Sequence, residues 1–158
     1  TTLPDGTAKG LPWFGKKETR HMETKFTGGC ACGAVRYEIN AGPLMAGHCQ
    51  CGKCQKLSST GHGSFAAFPA AAVTVTGELR PWSYVADSGN TSTRSHCPIC
   101  GTQVTGGNSR MTDILAVSLA TLDDPSGISP GMVFFHARAQ PWDLIDPSLP
   151  TFPGMPPM

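Results

Sequence analysis

The chain has 158 residues, with 12 Lys+Arg against 11 Asp+Glu and a formal net charge of +1. One domain suffices at that length, the near-neutral balance lacks the basic footprint of a nucleic-acid binder, and no apolar run approaches the ~20 residues that cross a membrane. Abundant Gly (19) and Pro (14), with only 15% charged residues, point to a turn-rich, strand-rich architecture.

Residues 1–25 read as an N-terminal arm: Pro4, Gly6, Gly10, Pro12 and Gly15 break any period, and Trp13-Phe14 offer a docking point. The chain opens on Thr1 rather than Met, which reads as a processed, tagged or trimmed start. It carries no charged-then-apolar signal pattern. The domain is expected over residues 26–140. Val35, Tyr37 and Ile39 alternate with Arg36 and Glu38, the period of a half-buried strand. If that strand geometry reaches back to Cys30 and Cys32, both thiols point to one side. A short strand over Leu44–Ala46 follows, then a helical turn over Gln55–Ser59, and a loop, Thr60-Gly61-His62-Gly63, that brackets a histidine with glycines.

Ser64–Phe68, Val73–Thr76, the stretch around Leu79, Trp82 and Tyr84, and Thr91–His96 read as further strands, separated by a Pro69–Ala72 corner and turns at Gly77 and Asp87–Asn90. Ile114–Leu119 and Met132–His136 are apolar enough for buried strands. Residues 141–158 are proline-rich, with short apolar anchors, and should wrap the domain as an extended tail.

All seven cysteines fall in three groups: Cys30/Cys32, Cys49/Cys51/Cys54 and Cys97/Cys100. The odd number opposes a complete disulfide framework and favours a reducing compartment, so the expected location is cytoplasmic. Cys97-Pro98-Ile99-Cys100-Gly101 is a knuckle that aims two thiolates inward, and Cys30/Cys32 supply two more. Together they make a closed four-cysteine zinc site. The contiguous trio in His48-Cys49-Gln50-Cys51-Gly52-Lys53-Cys54 is left over, a three-thiolate site with one position free. Lys53 and Lys56 would offset its negative charge and attract an anionic substrate. Three other divisions stay open: a disulfide framework, a single zinc with the trio idle, and a second closed zinc completed by His48, His62, His96 or His136.

These residues resemble the glutathione-dependent formaldehyde-activating enzyme family, whose relatives include centromere protein V. The likeness covers about residues 26–153. It runs through Gly28-Gly29-Cys30-Ala31-Cys32-Gly33, the His48–Lys56 core and Val75-Thr76-Gly77-Glu78-Leu79, then Cys97-Pro98-Ile99-Cys100-Gly101-Thr102, Leu122-Asp123-Asp124-Pro125 and Pro141-Trp142-Asp143. The resemblance implies an all-β fold, an Mss4-like β-tent of antiparallel sheets, and two zinc ions per chain. One would be structural, on Cys30, Cys32, Cys97 and Cys100; the other would be an active-site ion, on Cys49, Cys51 and Cys54. In the name-giving enzyme, glutathione binds at the second zinc and joins formaldehyde as S-hydroxymethylglutathione, so the implied activity is that of a zinc-dependent carbon–sulfur lyase. The implied partner is a small-molecule thiol such as glutathione, with no nucleic acid, no membrane, and a homo-oligomer as an option.

The loop Leu57–Gly63 beside the trio is where substrate choice would be set. His62 is the expected pocket acid, base or substrate contact, and Lys53 the expected pocket cation. Two other functions compete: a non-catalytic zinc-stapled binding or scaffold protein, as the chromatin-associated relative suggests, and a thiol or metal sensor that reacts through the exposed trio.

Overall fold

The computed structural model describes residues 25–156. The arm expected over residues 1–25, with its Trp13-Phe14 docking point, therefore lies outside the described residues except for Lys25. The strands, in chain order, are β1 (Phe26–Gly29), β2 (Arg36–Ile39), β3 (Met45–Cys49), β4 (Gly63–Pro69), β5 (Val73–Thr76), β6 (Arg80–Val85), β7 (Thr91–His96), β8 (Gln103–Asn108), β9 (Ile114–Ser118) and β10 (Val133–Phe134). The α-helix α1 spans Gly52–Ser58. Among the described residues no helix is long and apolar enough to cross a membrane.

The strands form two sheets: a small one in the order β1-β2-β5, and a large one in the order β10-β3-β4-β9-β8-β7-β6. All pairings are antiparallel except β10 with β3, which is parallel. The all-β class is thus observed, with this one exception to its antiparallel character. Period two explains which residues face the core. Val35, Tyr37 and Ile39 are at most 1% exposed, while Arg36 and Glu38 between them face solvent. From the large sheet Ala66, Phe68, Val104 and Val117 meet them, and the core lies between the two sheets.

Tyr37 needs room where β1 passes over it. A Cβ on Gly28 would collide with the Tyr37 hydroxyl and the Thr121 carbonyl, so only glycine fits. The hydroxyl is hydrogen-bonded to Thr121 Oγ1 at 2.9 Å, and burial pushes its pKa up to about 12.

The opposite face of the large sheet carries Phe65 on β4, Ile114 and Ala116 on β9, Gly106 and Asn108 on β8, and Ser92 and Arg94 on β7; this face lines a cavity. The sheet curls around it. From β3 to β6 is five strand spacings, about 24 Å if the sheet were flat. Yet Lys53 on α1, just past β3, lies with Nζ 5.6 Å from the Trp82 ring centroid and 5.4 Å from that of Tyr84, both on β6. A second link ties the far ends of the sheet: Arg138, in the turn after β10, donates to Asp87 in the β6–β7 turn at 2.8 Å.

Four local expectations change. Cys30 and Cys32 lie in the β1–β2 turn rather than on an extension of β2, because β1 ends at Gly29 and Gly33 adopts φ +81°. β8 forms where no strand was expected, its Gly106-Gly107 held by pairing with both β7 and β9. The helical turn starts earlier, at Gly52, because Cys51 caps it. The Met132–His136 strand shortens to Val133–Phe134, because Phe135 takes a left-handed φ of +54°. The described part of the tail lies against the domain: Thr151 bridges Val133, Phe152 N–H donates to the Val133 carbonyl at 2.8 Å, and the Phe152 ring stacks on Phe134.

Candidate metal centre and its cavity

The spacing Cys49-x-Cys51-x-x-Cys54 is a strand end, a cap and a first helical turn. Cys49 closes β3, beside β10 through the Cys49–Phe134 register. Cys51 is the N-cap of α1, and its Sγ accepts the Cys54 N–H at 3.3 Å, which fixes Cys54 three residues on. Ser58 Oγ donates to the Cys54 carbonyl at 2.7 Å, and Ser59 ends the helix in a left-handed conformation at φ +57°. The three Sγ atoms fall within 4.8 Å of one another. The neighbouring Cys49 and Cys54 thiols, followed by the Cys54 and Lys53 N–H groups, draw the Cys51 thiol well below its ordinary value. Cys49 is pushed up by Cys51, Cys54 and burial. Three thiols this close form a soft donor set from which a metal cation displaces the protons.

The second group, Cys30, Cys32, Cys97 and Cys100, joins the β1–β2 turn to the β7–β8 turn, again within 4.8 Å. A tetrahedral zinc with ~2.3 Å bonds sets its sulfurs about 3.8 Å apart. Cys30 and Cys32 are 3.6 Å apart, and Cys32 and Cys97 are 3.8 Å apart. The knuckle closes through the Gly101 N–H to the Cys97 carbonyl at 2.9 Å, with Gly101 at φ +75°. Thr102 Oγ1 lies 3.2 Å from Cys100 Sγ, and hydrogen bonding to Thr102 leads the causes that draw that thiol down to about 5. Both groups fit a metal ion, and zinc is consistent with an all-sulfur donor set. Among the described residues no histidine joins either group.

Cys49, Cys51 and Cys54 open on the cavity, whose volume is about 760 Å³. Lys53, Lys56, Arg94 and Arg138 line it together with one carboxylate, Asp87, and an apolar wall that includes Phe65, Met111, Phe135 and Met155. Lys53 is therefore in the cavity. His62 is not among the lining residues. Its Nδ1 is 2.8 and 3.0 Å from the two Asp143 oxygens, and its ring meets His48 edge-on at 4.6 Å.

Asp143, in the tail, is the functional candidate that sequence reasoning passed over. Its carboxylate also accepts Gln50 Nε2 at 2.9 Å, and Gln50 Oε1 pairs with His136 Nδ1 at 2.9 Å. Gln50 is 1% exposed and stands between Cys49 and Cys51, so this chain of bonds braces the backbone that presents them. Gly61 packs so closely that a Cβ there would collide with the Asp143 carboxylate. Asp143→Ala is expected to cost about 2–4 kcal/mol, because it strands the buried Gln50 amide and the half-buried His62 imidazole. It should also speed chelator removal of metal from the trio while sparing the four-cysteine group. Thermal unfolding and metal release kinetics measure the two effects.

The fold and the two sulfur groups define an all-β protein with two cysteine groups that could each hold a metal ion. The chain belongs to the glutathione-dependent formaldehyde-activating enzyme family, whose profile it matches over residues 25–138. A protein from Rhodobacter sphaeroides of known crystal structure is similar in fold, with a TM-score of 0.51 and 21% identity, over 66% of this chain and 91% of that one. Among curated proteins none matches this sequence. Asp143 lies beyond the segment the family profile covers.

Proposed function

We propose that this protein is a zinc-dependent carbon–sulfur lyase acting on a thiol adduct of the S-hydroxymethylglutathione type, formed from glutathione and formaldehyde or a related pair. The observation that carries the reading is the trio Cys49, Cys51 and Cys54, which opens on a cavity with no fourth protein donor in its group among the described residues. On this reading Cys30, Cys32, Cys97 and Cys100 hold a structural zinc, and the trio holds the active-site ion. Zinc bound by three thiolates with a position left open supplies a Lewis acid at the cavity, where it favours the thiolate form of a bound thiol.

The chain's own residues account for binding and proton traffic. Four cations against one carboxylate give the cavity a positive field matched to an anionic thiol. In the lyase direction the adduct's hydroxyl loses its proton as the carbonyl forms, the carbon–sulfur bond breaks, and its electron pair leaves with sulfur. The proton passes to bulk water, because among the described residues the lining holds no imidazole and its one carboxylate, Asp87, is bound by Arg138. Lys53 is then a pocket cation, and His62 supports the Gln50–Asp143 brace.

Metal analysis with an adduct-cleavage assay tests the proposal. The expected result is two zinc ions per chain, one of them removable by a chelator with the fold intact and the activity lost. A single metal per chain, or cleavage that survives removal of the labile ion, would overturn the reading and favour the scaffold alternative.

A further inference from the structure

Among the four cavity cations, Arg94 differs from the others. Lys53 and Lys56 are exposed. Arg138 is occupied by Asp87 at 2.8 Å. Arg94 is half-buried on β7 and pairs in register with Gly106 of β8. Its guanidinium lies across that glycine, where an added Cβ would stand 3.0 Å from Nη1. The Tyr84 ring supports it from the next strand, 6.0 Å from Cζ to the ring centroid.

A guanidinium carries five N–H donors. Among the described residues Arg94 spends one hydrogen bond on the protein, Nη1 to the Thr93 carbonyl at 3.2 Å, and has no acidic partner. A partly buried cation that is held in place and left without a carboxylate is suited to receive one, and a planar fork binds a carboxylate through two parallel hydrogen bonds. It lines the same cavity as Cys49, Cys51 and Cys54. A carboxylate on Arg94 therefore leaves the rest of a bound molecule within reach of the sulfur cluster.

We infer that Arg94 is the specificity-determining anchor for a carboxylate of the thiol substrate, so that the cavity selects acidic thiols over uncharged ones of the same shape. This rests on the thiol-adduct reading given above and adds to it which chemical group is recognised, and by which residue. No bond is made or broken at Arg94; its action is on binding.

The test compares glutathione with glutathione diethyl ester, in which both carboxylates are masked, on the zinc-loaded wild-type protein and on Arg94→Gln and Arg94→Lys. Zinc content and thermal unfolding confirm that each variant is intact. Wild type is expected to bind glutathione more tightly than the ester by calorimetry. In Arg94→Gln the affinity for glutathione should fall about 30- to 100-fold, the scale of a lost charge-assisted pair, while the ester changes less than about threefold. Arg94→Lys should recover part of the loss.

Wild type that binds the ester as well as glutathione overturns the inference. So does a variant that loses both ligands equally, or one that loses neither. Should glutathione bind and depend on Arg94 while no adduct is ever cleaved, the anchor stands and the lyase reading fails. Adduct cleavage that is indifferent to Arg94 has the opposite meaning.

Discussion

Cys51→Ser is expected to give a folded protein that holds one metal ion in place of two and has lost its activity by at least about 100-fold, the loss already produced by removing an outer partner of a metal ligand. Serine is a good N-cap, so its hydroxyl can accept the Cys54 N–H that Cys51 Sγ now accepts at 3.3 Å, and α1 keeps its start. What serine cannot supply is the anionic sulfur. Cys51 is the member of the trio held lowest, by Cys49, Cys54 and the N–H groups of the first helical turn. Replacing it removes the sulfur of the trio whose pKa is drawn down, and with it one of the three donors. The change is confined to one end of the large sheet, away from the core between the two sheets. The expected stability loss is accordingly about 1–2 kcal/mol, the usual scale of a weakened cap. Metal content, thermal unfolding and adduct cleavage on one preparation decide it. A variant that keeps two zinc ions, or that unfolds, would show that the trio is not an open functional site.

The four-plus-three division of the cysteines was legible because metal ligands come as short spacings, and the folded chain brings those two groups together and keeps them apart from each other. The β2 alternation was legible because it is local. Features that depend on distant partners were not. Gly106-Gly107 has poor β-propensity, and β8 exists because β7 and β9 flank it. Cys30 and Cys32 converge through a turn whose geometry depends on Gly33, not through strand period. Asp143 is 81 residues from His62 and 93 from Gln50, so no window of sequence connects them. Arg94 looks like an ordinary polar strand residue until the register sets it over Gly106. His62 drew notice as a glycine-bracketed loop histidine, and that same glycine bracket, through Gly61, is what lets Asp143 reach it.

Cys100→Ser should be far more damaging to the fold than Cys51→Ser, although Cys100 is exposed and Cys51 half-buried. By burial alone the order would be reversed, since an exposed Cys-to-Ser change leaves no cavity and strands no buried polar group. The difference lies in what each group joins. Cys30 and Cys32 belong to the β1–β2 turn of the small sheet, and Cys97 and Cys100 to the β7–β8 turn of the large one, so this group connects the two layers at the edge of their common core. Structural zinc sites have apparent binding free energies of about 10–16 kcal/mol, against a total stability of about 5–15 kcal/mol for a domain. The two are of similar size, so losing one of four ligands removes a large share of what keeps the domain folded. The expected outcome is a protein that loses zinc from this group and unfolds below about 37 °C or fails to accumulate in soluble form, and excess zinc should not rescue it. Ile99→Ser is the control: Ile99 is 75% exposed in the same knuckle, and its replacement should be silent. Thermal unfolding with zinc analysis on Cys100→Ser, Ile99→Ser and Cys51→Ser separates the roles. If Cys100→Ser melts with Ile99→Ser, the four-cysteine group does not join the two sheets; if it melts with Cys51→Ser, the two metal centres do not divide structure from chemistry.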